Sequence, residues 1–327
     1  MTRILTRKVP SGRGKALTGA EWRRHHARGL QVLQAPGLAR FEWLVHGFST
    51  RPGGASELNG TQALNLGFTD WDSREHVDEN RTKFLRAIGA SKMRRVTLRQ
   101  IHSDIPHRVD ALNAATLGDE APQGDALFTR EPGILLAVQT ADCIPILLAD
   151  RKQRVIAAIH SGWRGTVRRI VAKTLGRLQM EFGTRPEDMI AALGPGIGRC
   201  CYEVGSDVVR EFQSQFSTAG EWFDTTPARK IGVPGTLGAD RLDTLASGEN
   251  DPNWLPWLTM RPPGHPLPEP RVNLDLIAAN RATLIEAGVP AQQISASGFC
   301  TACRTDLFFS YRREGATGRM LAVIGIS

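Results

Sequence analysis

The chain has 327 residues, of which 41% are hydrophobic and 23% charged, enough to bury a full core and ordinary for a globular protein. No apolar run reaches the ~18 residues a membrane span needs, and the opening MTRILTRKVPSGRGK lacks a secretory apolar stretch, so a cytoplasmic protein with no membrane partner is expected. The net charge of +8 does not imply a nucleic-acid groove, because residues 1–40 hold nine Lys/Arg against Glu21 and the remainder balances at 32 of each sign.

Residues 1–40 read as a basic, disordered tail outside a folded body spanning 41–327. Phe41 to Phe48 reads as a strand and Ser49 to Gly54 as a Gly-rich loop. His76 to Ile88 predicts an amphipathic helix, with Val77, Phe84, Leu85 and Ile88 on one side and Gly89 as its stop. Arg95 to His102 is β-rich. Apolar runs at 126–138 and 144–148 flank the turn from Gln139 to Cys143, and 154–159 is a further buried strand. Ile170, Val171, Leu175 and Leu178 space a helix over Thr166 to Phe182. Ile190 to Leu193 reads as a strand, and Ser206 as the cap of a helix running to Phe216.

Residues 224–270 turn Pro-rich and read as an irregular insertion. Beyond it lie a helix over Val272 to Glu286 and closing strands at Phe308 to Tyr311 and Met320 to Ile326. Helices mixed with long apolar strands indicate a layered α/β or α+β body.

Three residues share a structural position. His102 ends the expected strand Val96–Ile101, Cys143 follows the expected strand Ile134–Val138, and His160 ends the expected strand Val155–Ile159. In open α/β sheets the carboxyl ends of strands converge on one crevice. Two imidazoles and a thiolate delivered there suit Zn²⁺, with a fourth position left for water or substrate. Taken singly, each is as readily a packed or turn-forming residue, and the spacings of 41 and 17 residues match no short zinc motif.

Arg164, in the Gly-rich junction Ser161–Gly165 before a helix, is a candidate anion contact, as is Arg51 in the Ser49–Gly54 loop. A solvent-facing arginine is the plainer reading of both. Asp142 is a candidate general acid/base or the cap of a turn. The five cysteines do not indicate a disulfide framework, and Cys300-Thr-Ala-Cys303 is a lone pair.

Several motifs occur in order: His46–Gly54, Leu64-Asn-Leu-Gly67, Val77–Arg81, Gln100-Ile-His102, Thr140-Ala-Asp-Cys143, Ile159–Gly165, Gly194–Gly198, and Phe309–Arg313 with Thr317-Gly-Arg319. Together they resemble the multicopper polyphenol oxidase, or laccase-domain, family, over roughly residues 41–223 and 271–327. That family is treated as purine nucleoside phosphorylases with adenosine deaminase activity.

The resemblance implies a single α+β domain with mixed β-sheets flanked by helices, and metal ligands on His102, Cys143 and His160. Cys143, Asp142, Arg51 and Arg164 are then the catalytic candidates. Asn65 and Gln100 join the two arginines as substrate-binding candidates. A laccase cluster is excluded by the residues themselves. It needs many histidines in H-x-H pairs, and the eight histidines here form none.

The expected function is phosphorolysis of adenosine, inosine and methylthioadenosine with deamination of adenosine, on one zinc ion, with copper as an occupant in vitro. Purine nucleosides and phosphate are the expected partners, and nucleic acid is not. The alternative makes Cys143 a thiolate nucleophile in a Cys-His hydrolase acting on amide bonds, in peptidoglycan-precursor editing. The sequence leaves oligomeric state open.

Overall fold

The structure, a computed structural model, describes residues 22–114, 121–224 and 272–327. β1 (Arg23–Ala27) and β2 (Leu30–Gln34) form a hairpin inside the expected basic tail. Its two-residue turn, Arg28-Gly29, has φ of 51° and 79°, the double positive φ that a type I′ turn requires. Leu30, Val32, Leu33, Ala35 and Leu38 are buried. The expected boundary at residue 40 is thereby corrected: from Arg23 the segment belongs to the folded body. Its apolar alternation decides this, although arginines dominate its charge. Residues 1–21 lie outside the described residues.

β3 (Leu44–Ser49) pairs with β2. Where a loop was expected, the chain enters β4 (Pro52–Leu58), which pairs with β5 (Thr61–Ala63). The ribbon depends on Gly54, where a Cβ would lie within 1.9 Å of the Ala63 carbonyl oxygen. α1 (Arg74–Ala87), capped by the Ser73 hydroxyl, is the helix read over His76–Ile88.

β6 (Arg94–Val96), β7 (Pro106–Arg108), β8 (Ala126–Thr129), β9 (Ile134–Thr140), β10 (Ile144–Asp150) and β11 (Val155–Ser161) follow. The single helix expected over Thr166–Phe182 is two, α2 (Trp163–Val167) and α3 (Ile170–Phe182), parted by Arg169 in left-handed backbone at φ 60°. Thr166 ties α2 down by donating to the Gly162 carbonyl and accepting from the Asn280 amide, whereas the apolar face of α3 sets its own direction. β12 is Met189–Leu193.

The described residues of 199–274, which are 199–224 and 272–274, belong to a smaller compact unit. Within it β13 (Glu203–Val204), β14 (Phe223–Asp224) and β15 (Val272–Leu274) form a sheet in the order β13-β15-β14. α4 (Ser206–Gln215) stacks Phe212 edge-on to Trp222 at 6.1 Å, and its N-cap is Gly205, not Ser206. Apart from Asp224, the insertion expected over 224–270 lies outside the described residues.

α5 (Leu276–Glu286) begins later than expected, because the Asp275 carboxylate caps it by accepting from Ala278 N–H and Val272–Leu274 is strand. β16 is Ile294–Ala296. The strand expected at Phe308–Tyr311 is absent. There the Ser310 hydroxyl accepts from Arg313 N–H while Glu314 accepts from Ser310 N–H, a reciprocal cap that starts α6 (Tyr311–Glu314). β17 is Met320–Ile326.

In the larger unit, among the described residues, one six-stranded sheet runs β1-β2-β3-β17-β9-β6 and another β16-β12-β10-β11-β8-β7. β9 from Ile134 to Val138, and β17 throughout, are apolar because both of their faces are covered. Met320, Ala322 and Ile324 of β17, with Leu136 and Val138 of β9, meet Leu147, Ala149, Ile156 and Ala158 of the second sheet. The alternate residues Leu135, Ala137, Leu321 and Val323 meet Phe84 and Ala87 of α1. Each large apolar side chain so buried contributes about 1.5–3 kcal/mol. α3 lies against β8 and β11. Parallel and antiparallel pairs occur in both sheets, so the fold is α+β with mixed sheets flanked by helices. No helix among the described residues is long and apolar enough to cross a membrane.

His46 on β3 is 2% exposed, and its Nε2 accepts from Ala35 N–H at 3.0 Å. Burial pushes its pKa down to about 4. The folded state therefore resists a proton that the unfolded chain takes up below pH ~6.5. Stability is expected to fall by about 3 kcal/mol as pH drops from 6.5 to 4 and then to level off for this group. Urea midpoints across that range check it; His46→Gln, with no charge to gain, should lose this limb.

Candidate metal centre

His160 is the penultimate residue of β11, and β10 runs antiparallel beside it with Ile144 opposite Ser161. Cys143 immediately precedes β10, so strand register sets it next to His160 and Gly162. The expectation of converging carboxyl ends is corrected in its reason. This edge of a largely antiparallel sheet joins the start of β10 to the end of β11.

His102 arrives by another route. The strand expected over Val96–Ile101 ends at Val96, so His102 does not close a strand: the chain leaves β6 in the first sheet and passes His102 before entering β7 in the second. Cys143 occupies the equivalent crossing between β9 and β10. Both corners bend through positive φ, 58° at His102 and 93° at Asp142. Such backbone costs about 1–3 kcal/mol and persists where its surroundings hold it. At the first corner the Asp125 carboxylate accepts from the N–H groups of Ile101, His102 and Ser103 at 3.2, 3.1 and 2.6 Å. At the second, Asp142 accepts from the Thr301 hydroxyl and Arg312 N–H, each at 2.6 Å, and its carbonyl accepts from Ile197 N–H.

The ligand atoms of His102, Cys143 and His160 lie within 4.8 Å of one another, and the two imidazoles meet edge-on at 5.0 Å. A Cβ on Gly162 would stand 2.9 Å from Cys143 Sγ and 3.1 Å from His102 Cδ2, so this closeness requires glycine there. His160 is buried, Cys143 half-buried and His102 exposed, which opens the group to solvent on the His102 side.

Burial alone would raise the Cys143 thiol, but the His160 charge and hydrogen bonds from both histidines outweigh it and hold the thiol well below its usual range. Burial alone would lower His160. The Cys143 thiolate and the Asp125 carboxylate, 2.8 Å from Nδ1, outweigh it and raise the ring. Asp125, although buried, is held down to about 2 by its bonds from His160 and Ser103.

Two imidazoles and a stabilised thiolate in one cluster fit a single borderline-soft ion, so the residues present accommodate the metal that the sequence implied.

The other sequence candidates are placed differently. Asn65 is fully buried with its amide saturated: it donates to Thr69 and Asp72 and accepts from Gly67 and Arg319 N–H. Its bonds hold the Leu64–Gly67 loop. Gln100 makes a side-chain rung to the Gln139 backbone, donating to its carbonyl at 2.8 Å and accepting from its N–H at 2.7 Å. That rung fastens the approach to His102 beside β9. Arg51 pairs with Glu314 at 2.6 Å, donates to the Thr305 carbonyl and lies over Phe309, so an anion would have to displace Glu314 to reach it. Arg164 is exposed at the start of α2, stacked on Trp163 at 4.5 Å and two residues from Gly162.

Sequence reasoning missed Asp125, Ser103 and Gly162. Only the acid standing directly before the apolar run at 126 signalled the first, and the Gly-rich junction the last.

The family model described as multi-copper polyphenol oxidoreductase laccase matches residues 45–241 and 258–327. It reaches further into the Pro-rich segment than the motifs at 41–223 and 271–327. A purine nucleoside phosphorylase of Deinococcus radiodurans is 39% identical over 302 residues, 92% of this chain and 94% of its own. Adenosine deaminase RL5, from an unknown prokaryotic organism, is 32% identical over 275 residues, 83% of this chain and 89% of its own. Among solved structures, YlmD from Geobacillus stearothermophilus aligns with a TM-score of 0.70 at 31% identity, covering 94% of this chain and 99% of its own. YfiH from Bacillus licheniformis aligns at 0.72 and 27% identity with the same coverage. A family match over most of the chain, on the fold and donor cluster described above, shows that the chain belongs to the multi-copper polyphenol oxidoreductase laccase family.

Proposed function

We propose that the chain is a purine nucleoside phosphorylase acting on adenosine, inosine and methylthioadenosine, that it also deaminates adenosine, and that one zinc ion is held by His102, Cys143 and His160. The convergence of these three side chains carries the reading, and the names of the relatives support its substrate class. When bound, the ion supplies Lewis acidity and brings the pKa of a water in its open position toward ~7. Copper accepts the same donors and is the alternative occupant in vitro.

The chain's own residues divide the remaining work. Cys143 is kept as thiolate by the two imidazoles, and exposed His102 marks the side from which a nucleoside enters. Arg164, exposed two residues from Gly162, offers phosphate a guanidinium beside the site. In phosphorolysis a phosphate oxygen bonds to the ribose C1′ as the N-glycosidic bond breaks, and the base leaves with a proton. Gln100 keeps one N–H and one lone pair for substrate beyond its rung to Gln139. Asp142 fixes the Cys143 corner, and the lone pair left on each oxygen is what proton exchange with the purine would use.

A second reading rests on one observation. Cys143, His160 and Asp125 follow one another as nucleophile, base and orienting carboxylate. That order suits a Cys-His hydrolase of amide bonds, such as peptidoglycan precursors.

One assay separates the two. With phosphate, zinc-loaded protein is expected to convert inosine to hypoxanthine and ribose 1-phosphate, and adenosine to adenine and inosine. Arg164→Ala should raise the phosphate KM by about 10- to 100-fold, with deamination little changed. Release of no base from any purine nucleoside, together with Cys143-dependent cleavage of amide substrates, establishes the hydrolase instead.

A further inference from the structure

We infer that Asp125 is a positioning residue that orients the His160 imidazole and fixes the backbone corner carrying His102, an inference that rests on the metal reading above. Asp125 Oδ1 receives the His160 Nδ1–H at 2.8 Å and the His102 backbone N–H at 3.1 Å. Its other oxygen, Oδ2, receives Ile101 N–H, Ser103 N–H and the Ser103 hydroxyl at 3.2, 2.6 and 2.7 Å. The side chain is fully buried, and its neighbour Ala126 opens β8, which pairs with β11. Asp125 is therefore anchored to the strand that carries His160 and reaches across to the corner that carries His102. The two histidines are 58 residues apart in sequence, and one oxygen contacts both residues.

Each contact has a separate consequence. With its proton on Nδ1 facing Asp125, His160 turns the Nε2 lone pair toward Cys143 and His102. A hydrogen-bonded carboxylate behind a ligand imidazole fixes ring orientation and tautomer in this way. Three consecutive N–H groups aimed at one carboxylate hold the left-handed bend at His102, φ 58°. That bend sets the direction from which the exposed His102 ring reaches its hydrogen bond to the thiol.

Asparagine in this position cannot satisfy both sides. If its amide NH2 faces the Oδ2 partners, it meets three donors. If it faces the Oδ1 partners, His160 must carry its proton on Nε2, the atom that would bind the ion. Ser103→Ala is the matched control, because it removes a bond to Oδ2 and none to a ligand residue.

The test is zinc affinity by competition with a chromophoric chelator, with thermal midpoints measured alongside. Asp125→Asn is expected to weaken zinc binding by about 10- to 100-fold, and Ser103→Ala to stay within about threefold of wild type. Equal zinc affinity in wild type and Asp125→Asn overturns the role. So does an equal weakening in both variants that follows their loss of thermal stability, because that is what a merely structural carboxylate gives. If Asp125→Asn does not fold, ¹⁵N NMR of zinc-loaded wild type decides: His160 with its proton on Nδ1 supports the inference, and a metallated Nδ1 overturns it. A wild-type chain that takes up no zinc overturns the metal reading itself. That outcome is distinct from a zinc-binding wild type matched by Asp125→Asn.

Discussion

Cys143→Ser is expected to lower zinc affinity by more than about 100-fold and to abolish phosphorolysis and deamination together. Loss of a partner behind a ligand costs about 10- to 100-fold, so loss of a ligand itself should exceed that range. Serine keeps the size of the side chain, but its hydroxyl stays protonated at neutral pH. The two histidines that hold the Cys143 thiol low then face a neutral group. The fold should persist, because the β10 and β11 register does not depend on the sulfur. His76→Ala is the control. That ring is 49% exposed at the start of α1 and stands 3.4 Å from Asp72, so zinc content and activity should not change. Metal analysis of the purified variants with parallel nucleoside assays checks both. Full zinc occupancy in Cys143→Ser would sink the three-ligand site.

Gly162→Ala is expected to weaken zinc binding by about 10- to 100-fold with only a modest fall in thermal midpoint. The backbone at Gly162, φ −80° and ψ 178°, is open to any residue, so strain is not the cause. The cause is contact. The new methyl would sit 2.9 Å from Cys143 Sγ, and the donors must part to admit it. Displacement of a ligand by a few tenths of an ångström damages a site that needs all three. Gly176 on α3 provides the contrast. A Cβ there meets nothing within 4 Å, so Gly176→Ala should stabilise the helix by about 1 kcal/mol and leave zinc binding unchanged. Chelator competition on both variants, with thermal melts, distinguishes a local effect on the donors from a global effect on the fold. Wild-type zinc affinity in Gly162→Ala would show that the donors do not pack as closely as described.

What the sequence by itself determined is whatever short-range pattern encodes. The 3.6-residue period makes α1 legible, and the apolar stretches Ile134–Val138 and Met320–Ile326 make β9 and β17 legible as buried strands. His102, Cys143 and His160 could be singled out because each stands at or just beyond the end of a β-rich segment, and the motifs around them carried the family.

The tertiary structure alone decided how these pieces meet. Cys143 stands beside His160 through the antiparallel register of β10 on β11, a choice of pairing that no local spacing states. Asp125 serves His160 from 35 residues away, and Arg51 is taken up by Glu314 from 263 residues away. The β1–β2 hairpin was hidden because arginines set the composition of its segment while a few alternating apolar residues set its fate. Propensity and period act over a few residues. Strand register and buried charge pairing are settled only when distant segments share one low-dielectric interior, where each polar group must find its partner.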